Sequence, residues 1–484
     1  MNNRENNYYI WFRYIVNACI ALFFLFSFVS NLFAYVSVFE GVRKYLVFVG
    51  LLAIVITCVY FLKDRVRGIL TFLIEQLSFF SFGKLFLILL VSSVLLKAFY
   101  YAFFFFDSTA FGEDITIYSQ IADSIAKNGL GSVERQIYYL VGLGLHLSVF
   151  KRLSIPYHLG VYLVFLFTTM INFCVFSKQI GKEKSFLLIM LYLLMPSTSM
   201  LTFCVTHELY VYFYFSIILF LLNCFLETND MKRTILLSGL LILFVSLNQT
   251  LSPMGKIWFI LLALIVLLTN IGIGKKTLII FVIVAAFLCS DLMTTKLEGN
   301  KMSQYNNYEQ LLIGSDLESM GRHTDGKGKR SAEQYWEARG QYLTPENYIE
   351  GQKGALIEQY KYLFTHPLRL IELLANKFFV AWSGDFYSIE YAHNMGSISD
   401  LMNIIMLTVG ALIWLFVITV GIVYHQKREK PIYLYNYEIV LLGVMAVLLI
   451  TEIMNKYSSY MTLFIYFIAF FRIGFSDSDH AEKG

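Results

Sequence analysis

Apolar residues occur along this chain in long blocks, and most polar residues fall in the short loops between them. An apolar block of about 20 residues is long enough to cross the hydrocarbon core of a bilayer as a helix. We therefore expect an all-α polytopic membrane protein with about 12 transmembrane helices, the count lying between about 11 and 13. The predicted spans are 11–36, 45–62, 84–106, 157–177, 185–203, 208–226, 234–251, 254–271, 276–292, 401–424, 433–452 and 456–473.

A short amphipathic helix is predicted directly after the third span, within residues 111–130. Ile117, Ile121 and Ile125 recur every four residues, which makes one face of this helix apolar. Gly129 is a suitable residue to end it. We expect this helix to lie on the membrane surface.

Two other stretches outside the spans carry helical patterns. Residues 137–150 are apolar but too short to cross, so we place them as an interfacial or re-entrant segment on the same side as 111–130. The stretch 293–400 is polar and rich in tyrosine, and loops of this length are usually functional. Its later part, near 367–381, has the pattern of a helix that leans on the membrane.

Basic residues determine the expected orientation. Cytoplasmic loops are enriched in lysine and arginine, and the alternation of the spans brings all the strongly basic loops to one side. We expect that side and both termini to be cytoplasmic, which places residues 107–156 and 293–400 outside. The basic loops lie at 63–84, 178–184, 232–233, 275–276 and 427–430.

The same pattern divides the chain into consecutive parts. Two N-terminal helices and a cytoplasmic loop form 1–83, and 84–292 form the transmembrane module in which we expect the catalytic site. An extracytoplasmic loop with a juxtamembrane helix covers 293–400. The last transmembrane helices cover 401–475, and 476–484 form a cytoplasmic tail.

Composition agrees with a membrane protein and excludes other classes. Hydrophobic residues make up 57% of the 484 residues, charged residues make up 15%, and the mean hydropathy is +0.62, values that a soluble domain does not have. All six cysteines lie in or beside apolar runs without a CxxC pair, so neither a disulfide framework nor a metal site is expected. No nucleotide-binding loop, Ser-His-Asp order or nucleic-acid-binding patch is recognisable, so no nucleic-acid partner is expected.

Asp114 is the leading candidate for catalysis. With Tyr118 it forms D-x3-Y, which places the two residues one turn apart on one helix face. A carboxylate on the outer surface can take a proton from an acceptor hydroxyl. In the alternative interpretation, Asp114 and the neighbouring Glu113 only complement the helix dipole. Asp107 competes for the same role.

His207 and Glu208 form a second polar pair, at the outer start of the span 208–226. Glu208 is a further catalytic candidate and His207 a substrate-binding one. A carboxylate at a helix start is also explained by the helix dipole alone. A histidine beside a glutamate offers fewer than the three protein ligands that a metal site needs, so no metal site is predicted here.

Cations on the outer side are candidates to contact a phosphate leaving group, because positive charge stabilises that group as its bond breaks. For each one, the alternative is an interface residue whose apolar stem lies along the membrane. Lys97 differs, since it falls near the middle of the span 84–106, where a charge is costly and usually functional. We expect it to face the bundle interior and to pair with a carboxylate. The outer cations are Arg135, Lys256, Arg369, Lys377 and Lys456.

Taken in order, these segments resemble the GT-C polytopic glycosyltransferases, and in particular the group of protein mannosyltransferases and aminoarabinose transferases with their bacterial relatives. The resemblance covers roughly residues 84–475. The chain departs from the family pattern in three places: an Arg-Pro pair is absent before Pro253, an Arg-Tyr pair is Lys456-Tyr457 here, and a Pro-rich turn after the first outer helix is replaced by Val133, Glu134 and Arg135. The motifs that carry the resemblance are D-x3-Y (Asp114, Tyr118), Pro196 with Glu208, the span from Gly239 to Pro253, His366-Pro367 with Leu374 and Lys377, and Glu452 with Lys456 and Tyr457.

The resemblance implies a GT-C fold and a polyprenyl-phosphate-linked sugar as donor, used on the extracytoplasmic face with inversion. It implies that Asp114 is the base that deprotonates the acceptor hydroxyl. The acceptor would be a cell-wall or capsular glycan, a teichoic acid, a lipid or a protein. No cofactor is certain, and an assisting divalent metal ion stays open. Residues assigned to substrate binding are Tyr118, Arg135, His207, Lys377, Lys456 and Tyr457.

Two other functions remain as alternatives. A polysaccharide polymerase or O-antigen-ligase-type enzyme also has many spans and a large outer loop, but its outer loops are rich in arginine. A lipid-linked sugar flippase or transporter would need paired internal repeats and charges along a path through several spans. The chain shows no internal repeat, and Lys97 is the charge deep in a predicted span.

Overall fold

The computed structural model of the chain is helical throughout its described residues. Every regular element there is an α-helix or a short 3-10 turn, which confirms the predicted all-α class. The described residues are 2–36, 49–50, 52–53, 65, 67–103, 113–132, 138–202, 205, 207–268, 271–298, 306–320, 327–344, 346–382, 400–423, 432–451 and 461–471.

The helices are numbered in chain order. They are α1 Asn2–Val36, α2 Phe82–Phe103, α3 Glu113–Asn128, α4 Tyr138–Arg152, α5 Tyr157–Ile180, α6 Lys182–Leu194, α7 Pro196–Leu201, α8 His207–Glu227, α9 Met231–Leu251, α10 Ile257–Leu268, α11 Ile273–Glu298, α12 Asn306–Gly314, α13 Lys327–Glu337, α14 Tyr348–Thr365, α15 Pro367–Trp382, α16 Asp400–Val423, α17 Ile432–Ile450 and α18 Thr462–Phe471. Residues 67–78 are also helical.

Seven helices in the described residues are long and apolar enough to cross a membrane, which confirms a multi-pass membrane protein. Three other predicted spans coincide with shorter apolar helices, at Ile257–Val266, Thr408–Ile422 and Thr462–Phe471. The predicted span 45–62 lies mostly outside the described residues. The total of about 12 spans and the GT-C fold stay predictions. The seven helices are Trp11–Ser30, Phe82–Tyr101, Tyr157–Ile180, His207–Glu227, Met231–Leu251, Ile273–Leu297 and Tyr433–Ile450.

Pro196 divides the predicted span 185–203 into two helices. Helix α6 ends at Leu194 and α7 begins at Pro196. Proline has no amide hydrogen, and it disfavours helical backbone in the residue before it. Met195 is accordingly extended, with φ −66° and ψ 118°. Helix α6 has 13 residues and α7 has 6, so neither reaches the length of a span.

Helix α3 is the predicted amphipathic helix. Gly129 follows its last residue with a φ of +82°, in the left-handed region, and its N–H donates to the Ile125 carbonyl at 3.0 Å. The buried face is rotated from the predicted one: Ile121 and Ile125 are buried, but Ile117 is 36% exposed and Tyr118 only 5%. A spacing of four drifts by about 40° on a helix of about 3.6 residues per turn, so three such residues do not share one narrow face.

Helix α4 occupies the predicted interfacial segment 137–150 and packs between α3 and α9. Two glycines permit this close approach. A Cβ atom at Gly142 would overlap the carbonyl oxygen of Thr250, and one at Gly144 would overlap the side chain of Ile121. Since Thr250 lies in the last turn of α9, α3 and α4 lie together at the end of the bundle where α9 ends.

Helix α18 lies at the centre of the apolar core. Residues 463–471 are all buried, with no more than 4% of any side chain exposed. Phe467 stacks on Phe176 of α5 with ring centroids 4.3 Å apart. Phe464 lies 5.6 Å from Tyr437 of α17. Aromatic contacts of this kind join α18 to the longer helices around it.

The long polar stretch 293–400 holds helices α12 to α15, which we call the helical insert. The indole N–H of Trp336 donates to the Asn347 carbonyl at 3.1 Å and joins α13 to the start of α14. Asp316 follows α12 and pairs with Lys327 at 2.7 Å. Burial alone would raise the pKa of Asp316, but its hydrogen bonds, led by that from Lys327, bring it below the ordinary value. The insert is therefore a packed unit with its own ion pair.

Candidate functional site

Helices α3 and α4 cover one end of the bundle, which we call the α3–α4 end. Asp123 of α3 accepts hydrogen bonds from Tyr157, the first residue of α5, and from Lys151 of α4, whose Nζ lies 3.0 Å from Oδ1. Leu297, in the last turn of α11, packs in an apolar cluster with Ile121. Helix α5 therefore begins at this end, and α9 and α11 finish there.

Asp114 and Glu113 occupy the first turn of α3, as predicted. Position 114 precedes Tyr118 by one turn, and Tyr118 is buried in the main apolar core. The first turn of α3 thus leads directly into the packed end of the bundle. The side chains of both acidic residues lie outside the described part of the chain, so their catalytic roles stay predictions, as does substrate binding by Tyr118.

Glu208 is a buried carboxylate at the start of α8. Only 1% of its side chain is exposed, and Nε2 of His207 lies 3.8 Å from its Oε1. A carboxylate removed from water needs a charged or hydrogen-bonding partner, and buried ionisable groups in membrane proteins commonly serve function. A carboxylate that only complements the helix dipole does not need to be buried. The burial of Glu208 therefore favours a role that requires this particular position.

Lys97 reaches the segment that joins α7 to α8. Its Nζ donates to the carbonyl of Thr202 at 2.9 Å and to its hydroxyl at 3.0 Å. The ammonium also lies 5.2 Å from the ring centre of Tyr162, a distance at which a cation is attracted by an aromatic face. Lys97 thus faces the bundle interior, as predicted. Its contact Thr202 lies shortly before His207 in the segment that joins α7 to α8. The pairing of Lys97 with a carboxylate stays a prediction.

Lys377 of α15 is completely buried and joins two helix ends. Its Nζ donates to the carbonyls of Gly314 at 2.9 Å, Leu449 at 2.6 Å and Thr451 at 2.5 Å. These carbonyls lie at the C-termini of α12 and α17, where the last carbonyls of a helix have no partner within it. An ammonium has three donors, and the helix dipole makes these ends negative. The match between donors and acceptors is therefore complete.

The contact between α12 and α17 depends on Gly314. A Cβ atom there would overlap the backbone of Ile450 and Thr451, so only glycine allows the two helix ends to share one ammonium. Burial lowers the pKa of Lys377 to about 7, while the three carbonyls favour its protonated form. These contacts favour a role in joining helices over the predicted contact with a phosphate.

The remaining predicted cations either lie outside the described residues or are exposed. Arg135, Lys456 and Tyr457 lie outside the described residues, so their assignments stay predictions. Arg369 is exposed and pairs with Glu372 of the same helix at 2.8 Å. An exposed pair of this kind contributes little to stability, and it leaves Arg369 at the surface.

Asp123 is a structural residue that sequence reasoning missed. The hydrogen bond from Tyr157, together with Lys151, lowers the pKa of Asp123 although its partial burial acts in the other direction. The carboxylate therefore stays charged and fastens α3 to α4 and α5. Nothing in the local pattern marks it, because its two partners lie 28 and 34 residues further along the chain.

His146 of α4 is the second residue that the sequence did not reveal. Its Nδ1 lies 2.7 Å from the carbonyl oxygen of Gly142, and its Nε2 lies 2.7 Å from the hydroxyl of Tyr214. A carbonyl only accepts, so Nδ1 carries the hydrogen. Burial lowers the pKa of His146 and favours the neutral ring, whose Nε2 accepts from Tyr214. The histidine forms a fixed polar link between α4 and α8.

Neither a group of metal-binding side chains nor a similarity to known proteins identifies the function of this site. Within the described residues, no group of three or more His, Cys, Asp or Glu side chains is placed to hold a metal ion. Whether a divalent metal assists stays open. No protein-family model, no curated protein and no solved structure matches this chain.

Proposed function

We propose that this chain is a membrane glycosyltransferase that uses a polyprenyl-phosphate-linked sugar. The observation that carries the proposal is the position of α3, which begins with Glu113 and Asp114 and packs across one end of a multi-span bundle. A lipid-linked sugar holds its phosphate and sugar at the membrane surface while its chain stays in the hydrocarbon region. A carboxylate just beyond the spans is therefore suitably placed for the reacting atoms.

The orientation follows from charge. Basic residues such as Lys182, Lys232 and Lys275 cluster at the end of the bundle opposite α3 and α4. Cytoplasmic loops are enriched in such residues. The α3–α4 end then faces the extracytoplasmic side of the cell membrane, where the growing polysaccharides of a bacterial cell wall are found.

In the proposed reaction Asp114 is the general base. Its carboxylate takes the proton of an acceptor hydroxyl, and the oxygen attacks the anomeric carbon of the donor sugar on the face opposite the phosphate. The bond from that carbon to the phosphate oxygen breaks, and polyprenyl phosphate leaves with the bonding electrons. The new glycosidic bond has the inverted configuration. The acceptor is a cell-wall or capsular glycan, a teichoic acid, a lipid or a protein.

The other polar groups at this end would hold the donor. Glu208 is the second carboxylate of the proposed site, and its burial beside His207 fixes its position. Phosphate is a stable leaving group, so cations near it replace a general acid. We assign that role to Arg135 and Lys456, with Tyr457 contacting the donor beside them.

The replacement Asp114→Asn tests the proposal, because asparagine keeps a helix-start acceptor but cannot take a proton. Release of polyprenyl phosphate in membrane vesicles, supplied with a panel of polyprenyl-phosphate sugars and acceptors, is the readout. We expect a loss of about 10²–10⁴-fold at unchanged membrane insertion. The controls Glu113→Gln and Asp107→Asn should stay active. An inactive Glu113→Gln beside an active Asp114→Asn would move the base by one residue, and activity in all three would refute the mechanism.

A labelling experiment tests the orientation separately. In a cysteine-free background, Lys329→Cys is expected to react with an impermeant thiol reagent on intact cells, because this side chain is 67% exposed in the helical insert. Lys232→Cys, exposed at the opposite end, should react only after the membrane is opened. The reverse pattern would place the site in the cytoplasm.

A further inference from the structure

A groove lies at the end of the bundle opposite α3 and α4. It has a volume of about 360 Å³ and is open to one side, between the turn that joins α8 to α9 and the first turns of α9 and α11. Volumes of this order are typical of pockets that hold small molecules or head groups. The groove is distant from Asp114 and Glu208, so it lies outside the proposed catalytic site.

The lining of the groove combines polar and apolar side chains. Thr228 and Asn229 of the turn, Thr234 of α9 and Thr277 of α11 are polar, whereas Met231 of α9 and Leu278 and Phe281 of α11 are apolar. Phe281 is 58% exposed. The exposed apolar surface continues beyond the groove along α11, where Val284 is 53% exposed. A ligand with a polar head and an apolar chain matches this combination of side chains.

Lys275 fixes a positive charge at the polar part of the groove. Its Nζ donates to the carbonyl of Leu226, in the last turn of α8, at 2.6 Å. An ammonium has three donors, so the described contact leaves two hydrogens for the oxygens of a ligand. The bond to Leu226 also holds the ammonium in place, and no carboxylate in the described part of the chain forms an ion pair with it.

The surroundings of the groove are basic. Lys232 and Arg233 are exposed in the first turn of α9, and Lys276 follows Lys275. Two acidic residues lie nearby, Glu227 and Asp230, and Asp230 accepts the backbone N–H of Lys232 as the cap of α9. The basic residues outnumber the acidic ones, so an anionic head group is favoured over a zwitterionic one.

We propose that this groove binds an anionic phospholipid from the leaflet at that end of the bundle. The phosphate lies beside Lys275 and the hydroxyl of Thr228, which accepts the N–H of Asp230 and keeps its own hydrogen for the ligand. One acyl chain follows Leu278 and Phe281 into the hydrocarbon region. The bound lipid bridges the α8–α9 turn and α11, and the site is independent of the proposed sugar transfer.

Native mass spectrometry of the delipidated protein, titrated with phosphatidylglycerol or phosphatidylcholine, tests the proposal. Gly274→Leu fills the groove, because no atom lies within 4 Å of a Cβ atom there. Gly272→Leu is its matched control, since that position is equally open but does not line the groove. Lys275→Gln removes the charge, and its control is Lys296→Gln at the other end of α11, where the lysine is exposed.

We expect the unaltered protein to bind phosphatidylglycerol more tightly than phosphatidylcholine. Gly274→Leu and Lys275→Gln should each weaken phosphatidylglycerol binding by about tenfold, which corresponds to one lost favourable contact, and the two controls should bind as before. Gly274→Leu keeps the test valid if Lys275→Gln folds poorly. Equal binding of both lipids, or unchanged binding in Gly274→Leu, would overturn the proposal. Displacement of the lipid by millimolar inorganic phosphate would likewise show a phosphate site rather than a lipid site.

Discussion

Replacing Lys377 with methionine tests whether its ammonium joins α12 to α17. Methionine keeps a long unbranched side chain but has no N–H, so the carbonyls of Gly314, Leu449 and Thr451 lose their shared donor. Each buried acceptor left without a partner costs about 1–3 kcal/mol. Part of this cost is returned, because no charge has to be buried in the variant. We expect the free energy of unfolding to fall by about 3 kcal/mol.

Thermal unfolding of the purified protein in detergent measures this change. For a chain of this size the expected loss lowers the melting temperature by about 3 °C. Lys361→Met is the matched control, because Lys361 is an exposed lysine on α14 of the helical insert, and its melting temperature should not change. Gly314→Ala separates α12 from α17 by overlap instead. The double variant should therefore lose less stability than the sum of the losses in Gly314→Ala and Lys377→Met.

One result would refute this reasoning. If Lys377→Met unfolded at the same temperature as the unaltered protein while sugar transfer fell by about 10²–10³-fold, the ammonium would contact the donor phosphate in the working enzyme. The carbonyl contacts of Lys377 would then be dispensable for stability, and the earlier assignment of this lysine to substrate binding would stand.

Three smaller tests concern protonation and packing. Burial holds the pKa of Lys377 at about 7 in the folded protein, against an ordinary value of 10.5. Between these pH values the unfolded chain binds one more proton than the folded protein, so the melting temperature should rise from about pH 7 to 10. Lys377→Met should not show this rise. The pKa of Asp123 is lower in the folded protein than its ordinary value of 3.8, so its ionised carboxylate stabilises the fold at higher pH. This stabilisation should disappear as the pH falls below about 4. Asp123→Asn should lack this pH dependence. Gly142→Ala should destabilise the protein by about 1–3 kcal/mol in denaturation, whereas Gly131→Ala, where a Cβ atom meets nothing within 4 Å, should not.

The local sequence pattern was sufficient to predict the helices but not the side chains that pack against each of them. Hydrophobic length alone predicted spans such as 157–177 and 208–226, and Gly129 marked the end of α3 correctly. The buried face of α3 was wrong at Ile117, because side chains from α4 and the bundle decide which residues face inward. A four-residue repeat fixes only an approximate direction.

The interactions of charged residues were the least predictable part. Lys377 was assigned to a phosphate because its position in an amphipathic helix gives no sign of carbonyls 63, 72 and 74 residues away. Asp123 was overlooked for the same reason. In a membrane protein, a lone charge satisfies its hydrogen bonds wherever the fold brings a partner, and sequence spacing does not show that.

The burial of α18 has a consequence for how the protein is made. Its aromatic residues pack on helices that all precede it, including Phe176 of α5 and Tyr437 of α17. Because these helices precede α18 in the chain, each is synthesised before it and lacks this packing partner until α18 follows. The bundle can therefore close only after residues 462–471 have been inserted among helices that entered the membrane earlier.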